Sequence, residues 1–381
     1  MSSEFFDKEE RHNMIKKLIS ALCAAAMIFS LTACAGAKVN ETKKTAEKET
    51  ETSAKATVES TAKPEETENL TKDGKAKKAC YITNSPLGNE FTDSIWNGFK
   101  AMESDGWEVK SIEVSEEGEY AEQIRAMADQ GYTAIFTMFD EVSDVAVSLA
   151  DELKEKYPDL HIFMLDTYMD HGKDNCTSIS VDPFESSFVA GYIAANMTET
   201  GTVGWIGHSD ILKIWRFRDG FIAGVNYADN GTKVVTAFTG DYKDPVKGQE
   251  TATAMIKENP VDIIYQCDYL GGTGVIAACA DAGIKCIGVD DWKGDIDDCV
   301  FWSAVKAMDV AVESVLRDVD EGREFPKAIN FDLSAGGRVY DDRDWDNIPK
   351  DLQQKVTDLI AGIKSGDIDV YEGFDEYRLN Y

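Results

Sequence analysis

The chain has 381 residues, 43% of them hydrophobic and 10% aromatic, which excludes a wholly disordered or collagen-like protein and supplies a large core. Its 39 Lys+Arg against 70 Asp+Glu leave a net charge of −31, which excludes a wide positive face for nucleic acid. Four His leave little room for a His-rich metal site or a His-driven acid–base enzyme.

Residues 1–13 are charged and match no structural pattern. From Met14 the chain reads as a secretory signal: Lys16 and Lys17, an apolar run over 18–31, then small residues around Cys34. The run falls short of the about 20 apolar residues a membrane span needs. Leu31, Thr32, Ala33 and Cys34 resemble the bacterial lipobox, in which the Cys is diacylated and becomes the first residue of the mature protein. Residues 1–34 are therefore assigned to an upstream stretch and a lipoprotein signal peptide, with Met14 as the start and Cys34 as the lipid attachment site. Residues 35–77 are almost entirely Ala, Lys, Glu, Thr and Ser, too polar to fold, and read as a disordered tether. Anchor, tether and globular body describe a lipid-anchored protein on the extracytoplasmic face of the cell membrane.

The body alternates strands and helices. Strands are expected at 80–83, 108–114, 133–139, 161–166 and 177–181, and again at 202–206, 233–238, 262–267, 285–289 and 300–305. Helices are expected between them at 93–103, 121–130, 142–157, 185–197, 216–229, 247–259, 274–282 and 308–320. Continuous apolar strands alternating with helices imply parallel sheets covered on both faces, an α/β class of doubly wound type. The two series read as repeats of one plan, giving two lobes. Of the eight Cys, Cys80, Cys176, Cys267, Cys279, Cys286 and Cys299 lie in the body; none has zinc-like spacing, and buried free thiols are expected.

Ligands of doubly wound sheets bind beyond the strand C-termini. The residues there are Asn84, Phe91 and Asp93; Asp140; Asp166; Asp210; Asp241 and Tyr242; Asp268 and Tyr269; Asp290 and Trp292; and Lys306. Each Asp could instead cap the following helix. As a set with interleaved aromatics they suit a neutral, hydroxyl-rich ligand with a flat face. There is no GxGxxG, no GxxxxGK[ST], no GxSxG elbow and no HExxH, so neither a cofactor nor a catalytic role is assigned. His161, in an apolar strand, and His208 are read as structural.

At this point the chain resembles the basic membrane protein family of bacterial lipoproteins, the purine-nucleoside-binding proteins of ABC transporters. The resemblance rests on FTDSIWNGF at 91–99, SFVAGY at 187–192, GTVGWIG at 201–207, RFRDGFIAG at 216–224, DPVKG at 244–248, the Gly turn at 271–274, IGVD at 287–290, and Val305-Lys306. It implies a type I periplasmic-binding-protein fold, with lobes of 78–182 plus 303–330 and 183–302 plus 331–381 joined by a hinge. It also implies that Phe91 and Tyr242 sandwich a purine while Asp166, Asp290 and Lys306 bind the nucleoside, chiefly its ribose hydroxyls. The full set of ligand-contact candidates is Asn84, Phe91, Asp93, Asp166, Trp215, Tyr242, Asp268, Gly272, Asp290 and Lys306. Lys306 is expected near Asp290, keeping that carboxylate ionised. The partners implied are a nucleoside, an ABC permease and, through the lipid, a membrane; the protein is expected to act as a monomer, with no nucleic acid and no enzymatic activity. Asn84 stands where the family commonly has Asp, Tyr242 replaces a Phe, and Cys267, Asp268, Tyr269 and Leu270 replace an apolar-small approach to the Gly turn, so base selectivity is expected to be altered or broadened. A sugar or autoinducer-like ligand, or a nucleoside-cleaving enzyme, remains the alternative.

Overall fold

A computed structural model describes residues 69–379. The signal peptide, Cys34 and most of the tether lie outside the described residues. Residues 69–77, read from composition as the end of the tether, pair with the body instead. Leu70 and Ala76 form an antiparallel bridge, the Lys72 amide donates to the Asp320 carbonyl at 2.8 Å, and Lys77 Nζ lies 2.9 Å from Asp320.

The chain then alternates β1 (Lys78–Thr83), α1 (Glu90–Ala101), β2 (Glu108–Glu113), α2 (Tyr120–Asp129), β3 (Ala134–Met138), α3 (Asp140–Lys156), β4 (His161–Leu165) and β5 (Cys176–Ser180). A second series follows: α4 (Phe184–Met197), β6 (Thr202–Gly207), α5 (Leu212–Tyr227), β7 (Lys233–Phe238), α6 (Pro245–Glu258), β8 (Ile263–Cys267), α7 (Gly272–Ala282), β9 (Lys285–Asp290) and β10 (Val300–Val305). The chain closes with α8 (Met308–Asp320), β11 (Ala328–Asn330) and α9 (Lys350–Ser365). One sheet has the order β11-β5-β4-β3-β1-β2 and the other β10-β9-β8-β6-β7, and all pairings are parallel. The doubly wound α/β plan expected from the apolar strands is thus what forms.

Each expected strand is present; α8 starts at Met308 as expected, whereas the other seven expected helices start earlier than expected. At two of them a capping side chain sets the start: Asn89 Oδ1 accepts from the Thr92 amide at 3.1 Å, and Asp244 accepts from the Val246 amide at 2.9 Å with Pro245 opening α6. Strand β11 and helix α9 were not expected at all. The strand has three residues, too few for a period to show.

Helices sandwich both sheets. In the first lobe, Phe99, Val312 and Leu316 of α1 and α8 pack one face with Tyr81 and Phe136, while Ile124, Ala146 and Leu153 of α2 and α3 pack the other with Ile82 and Ile135. In the second, α4, α5 and α9 bury Phe188, Phe221 and Leu359 against Trp205 and Trp302. A close helix contact explains two of the sequence motifs. A Cβ at Gly224 would lie 1.9 Å from the Phe188 carbonyl oxygen, and one at Gly191 2.1 Å from that of Phe221, so only glycine lets α4 and α5 meet backbone to backbone. All six described cysteines are free, and all but Cys299 are buried.

The chain passes between the sheets after β5, after β10 and after β11. Strand β10 stays in the second sheet through Val305, so this crossing falls at 306–307 and not at 303 as expected. Asp182, at the first crossing, is held by Arg216 and by the Tyr371 hydroxyl at 2.8 Å, and Glu185 accepts from the Leu333 amide at 2.7 Å, tying two crossings together.

Candidate ligand-binding cleft

The C-terminal ends of the two sheets supply the walls of one cleft, and the backbone there is locally strained. Phe139 after β3, Asp166 after β4 and Asp290 at the end of β9 have φ of 71°, 56° and 68°. Asp tolerates this region better than most residues, but positive φ without glycine persists only where the surroundings impose it, and such positions cluster at functional sites.

At one end of the cleft sits a charged network. Lys306, from the second crossing and only 3% exposed, donates through Nζ to Asp166 Oδ1 in the first lobe. Lys213, from the first turn of α5, reaches over from the second lobe. Its Nζ donates to the Asp166 carbonyl at 3.0 Å and lies 3.7 Å from Asp166 Oδ2 and 3.5 Å from Asp140. Burial pushes the Asp166 carboxyl up, but the ammonium groups of Lys306 and Lys213 outweigh it and hold it below the ordinary value. Lys306 therefore pairs with Asp166, while it also lies near Asp290 as expected, its amide donating to the Asp290 carbonyl at 2.8 Å. The Asp290 carboxyl is pushed up to about 6 by burial, against the opposing pull of Lys306 and Lys293.

At the other end stands a row of rings. The Phe91 ring, anchored in the first-lobe core and 9% exposed, meets Tyr269 edge-on, with centroids 6.4 Å apart at 89°. Tyr269 meets Tyr242 at 6.3 Å and 39°, and Tyr242, 44% exposed, meets His208 at 5.8 Å. The Tyr269 hydroxyl is 2.9 Å from Ser85 Oγ on the first lobe. Lys306 Nζ joins the two ends, 5.7 Å from the centre of the Phe91 ring. Between Phe91, Tyr269, Leu270, Val289, Asp290 and Lys293 remains a cavity of about 10 Å³. That is the scale of a single water.

Phe91, Asp166, Asp290 and Lys306 thus meet in the cleft, and Asn84 lies half-buried immediately after β1. Tyr242 touches Tyr269 rather than Phe91. Asp268 is fully buried with neither carboxylate oxygen hydrogen-bonded, and burial pushes it up to about 6. Its carboxylate is folded over Gly271, where a Cβ would come within 2.5 Å of it. Gly272 opens α7 against the Gln266 side chain, whose Oε1 would be 2.1 Å from a Cβ there.

Other candidates are engaged locally. Asp93 accepts from the Gly88 amide at 2.9 Å, Trp215 Nε1 donates to Asp210 at 2.8 Å, Asp241 pairs with Lys247 at 2.9 Å, and Trp292 Nε1 donates to Asp344 at 2.8 Å. His161 bonds Thr177 at 2.9 Å and His208 bonds Ser209 at 2.8 Å; burial lowers each to about 4, as befits structural imidazoles. Sequence reasoning missed Lys213, Ser85 and Lys293 as cleft residues. Ser85 and Lys293 follow a strand end closely, the signal that found the acids, whereas Lys213 lies in the first turn of α5, and neither lysine nor serine carries a pattern of its own.

The comparisons fit this geometry. The family profile described as "ABC transporter substrate-binding protein PnrA-like" matches residues 79–372. Basic membrane protein A of Borreliella burgdorferi is 27% identical over 297 residues, covering 76% of this chain and 85% of that protein. The ABC transporter nucleoside-binding protein BmpA of Lactococcus lactis is 26% identical over 324 residues, covering 76% and 89%. Among solved structures, an ABC transporter solute-binding protein from Conexibacter woesei superposes with a TM-score of 0.65 at 20% identity, covering 77% of this chain and 98% of that one. One from Aeropyrum pernix gives 0.58 at 22%, covering 78% and 89%. The two-sheet architecture is accordingly that of the type I periplasmic binding proteins. With the profile spanning nearly the whole described body, the chain belongs to the Bmp family of ABC transporter substrate-binding proteins.

Proposed function

We propose that the protein captures a nucleoside, with a purine as its base, and delivers it to the permease of an ABC importer. The observation that carries this reading is the joining of two chemistries in one cleft: rings from both lobes at one end, and buried acids with a lysine at the other. A base stacks on aromatic faces for about 1–3 kcal/mol each, and a carboxylate accepting from ribose hydroxyls makes charge-assisted bonds. In this reading Phe91 and Tyr242 flank the base, Asp290, Asp166 and Lys306 hold the ribose, and Asn84 reads the base edge with an acceptor and two donors. The relative from Lactococcus lactis, named a nucleoside-binding protein, supports it.

A nucleoside far exceeds a cavity of about 10 Å³, so ligand exchange requires the walls to part, with the crossings at Asp182 and Lys306 as the hinge. Small-angle scattering should show a smaller radius with nucleoside than without. Mass spectrometry of ligand released from the purified protein, followed by calorimetry with adenosine, guanosine, inosine, uridine and cytidine, tests the assignment. Asp290→Ala should weaken all of them by a similar factor, whereas Asn84→Asp should reorder them. Wild-type binding by Asp290→Ala would remove the ribose assignment and the nucleoside reading with it.

The proposed signal and Cys34 place this function on the outer face of the membrane, where two acyl chains give stable attachment that one does not. Among the described residues no helix is long and apolar enough to cross a membrane. Cys34→Ala should release the protein from the membrane fraction; unchanged partitioning, with no lipid mass on the N-terminal peptide, would remove the anchor from the proposal.

A further inference from the structure

Gly220 and Gly224 of the RFRDGFIAG segment bring α5 against α4, but helix packing does not account for the arginine that opens it. Arg216 is 5% exposed and donates through Nη1 to Asp182 at the first crossing. Asp182 also accepts from the Tyr371 hydroxyl at 2.8 Å, so the hinge carboxylate is held from two sides. The same guanidinium faces two rings. Its Cζ lies 4.8 Å from the centre of the Tyr168 ring and 5.5 Å from that of Tyr377. Tyr377 belongs to the second-lobe core, whereas Tyr168 sits in the loop after β4 of the first lobe. Lys213, one turn earlier on α5, has its Nζ 6.0 Å from the centre of the Tyr168 ring. Helix α5 thus sets two cations against one ring of the opposite lobe, with the buried one nearer.

Tyr168 passes this contact on to the cleft. Its hydroxyl donates to Asp166 Oδ1 at 3.3 Å, the oxygen that also accepts from Lys306. A chain of contacts therefore runs from Asp182 through Arg216 and the Tyr168 ring to Asp166. Guanidinium suits the middle of such a chain: its planar face stacks on a ring while its edge donates to a carboxylate, which a compact ammonium does not combine.

We propose that Arg216 is a positioning residue that couples the hinge to the cleft, seating Tyr168 so that Asp166 is set for the ligand in the closed state. When the lobes part, α5 moves with the second and Tyr168 with the first, so the ring contact is lost while Arg216 keeps Asp182. Closure restores the ring contact, and a ligand bonded to Asp166 is held longer. The ligand here rests on the nucleoside reading above, but the coupling of Arg216 to Asp166 does not require one.

The test reads ligand release and the titration of Asp166 in the full chain. Arg216→Lys keeps a charge beside Asp182 and gives up the planar face. Stopped-flow displacement of guanosine should then show release faster by about tenfold, the size of a desolvated cation–π contact, with association unchanged. Because Arg216 is buried, that factor should persist at about 1 M salt. Tyr168→Leu should release guanosine at least as fast, and adding Arg216→Lys to it should change nothing more, since the arginine acts through the ring. The second readout needs no ligand: carbon NMR of the Asp166 carboxyl, assigned by its loss in Asp166→Asn. Burial raises this carboxyl, and Lys306, Lys213 and the Tyr168 hydroxyl together hold it below the ordinary value. It should titrate at higher pH in Tyr168→Phe and also in Arg216→Lys, a shift that a merely structural arginine would not cause. That shift in a protein that binds no nucleoside would sink the nucleoside reading and keep the coupling. Release at the wild-type rate by Arg216→Lys, losses that add in the double variant, or an Asp166 titration that Arg216→Lys leaves in place would each overturn the proposal.

Discussion

The two ends of the cleft hold their lobes together by different means. At the charged end Asp166 is enclosed by two ammonium groups, one on the hinge crossing and one on the second lobe, with Lys306 and Asp166 side chains only 3% and 10% exposed. At the ring end the contacts are a T-shaped pair, a tilted pair and one hydroxyl–hydroxyl bond, with Tyr242 44% exposed. Charges buried at a crossing are costly to separate and are offered to every ligand alike. Rings at the solvent edge rearrange at little cost and respond to the shape of the ligand. In the proposed nucleoside reading, recognition of what nucleosides share falls to the charged end, and recognition of how they differ to the ring end.

The comparison breaks most plainly at Lys306. Replacing it with Met keeps the stem and removes the charge, leaving Asp166 buried with the more distant Lys213 and the Tyr168 hydroxyl, which donates at 3.3 Å. Breaking a buried pair from one side costs about 3–5 kcal/mol, so denaturant unfolding of Lys306→Met should show a loss of that order together with weakened binding of every nucleoside. The pH dependence follows from the lowered Asp166. Its pairing adds stability above the ordinary carboxylate range, and that stability is lost as pH falls through the depressed value; Lys306→Met should lack this acid-side loss. A stability change below about 1 kcal/mol would place the pair with surface ion pairs and remove the distinction between the two ends.

Asp290 sharpens the contrast, because it sits at the charged end without sharing its pairing. Burial pushes it up to about 6, and Asp268 likewise. A carboxyl raised in the folded state favours folding on the acid side, so the contribution of both groups to stability declines as pH climbs from the ordinary carboxylate range to about 6. Binding runs the other way. If ribose hydroxyls donate to ionised Asp290, affinity should rise by up to about tenfold per pH unit below about 6 and level off above it. Calorimetry from pH 5 to pH 8 reads this directly. Asp290→Asn should flatten the profile; a profile retained in that variant would assign the titration to Asp268.

Much of this fold was legible because buried parallel strands carry a signal in every residue. All six residues of β6 and all six of β10 are buried, and runs such as these stand out from the helices between them. Strand β11 was invisible because pairing with β5 creates it, not its own sequence. The acids at the strand ends were found from topology alone, but what each one bonds was not. Asp93, Asp241 and Asp166 look alike in sequence, yet one holds a loop amide, one an exposed lysine and one the buried Lys306. That Lys306 pairs with Asp166 was not legible for the same reason: Asp290 is nearer in the chain and does lie beside it, while Asp166 is 140 residues away. Tyr242 and Tyr269 both follow strand ends in the sequence, and only the ring geometry separates their positions.

Lys213 should give the smallest effect, and it tests whether the charged end is rigid because of its buried member or because of its number of charges. Its side chain is 30% exposed, and its ionic contacts to Asp140 and Asp166 are 3.5 Å and 3.7 Å long. Burial lowers its pKa, but the two carboxylates outweigh this and hold it above the ordinary value, so it stays charged throughout the physiological range. Long, partly exposed pairs lie near the range of surface ion pairs, about 0.2–1 kcal/mol, and are screened by salt. Lys213→Ala should therefore reduce stability by less than about 1 kcal/mol, and the deficit should shrink as salt is raised from 0.05 M to about 1 M. Because Lys213 joins the second lobe to Asp140 and Asp166 of the first, its loss should also speed nucleoside release by a few-fold while leaving the order of preference among bases unchanged. Stopped-flow displacement at low and high salt measures both. A change in base ranking, or a loss as large as that of Lys306→Met, would mean that the charged end acts as one distributed network in which the exposed lysine matters as much as the buried one.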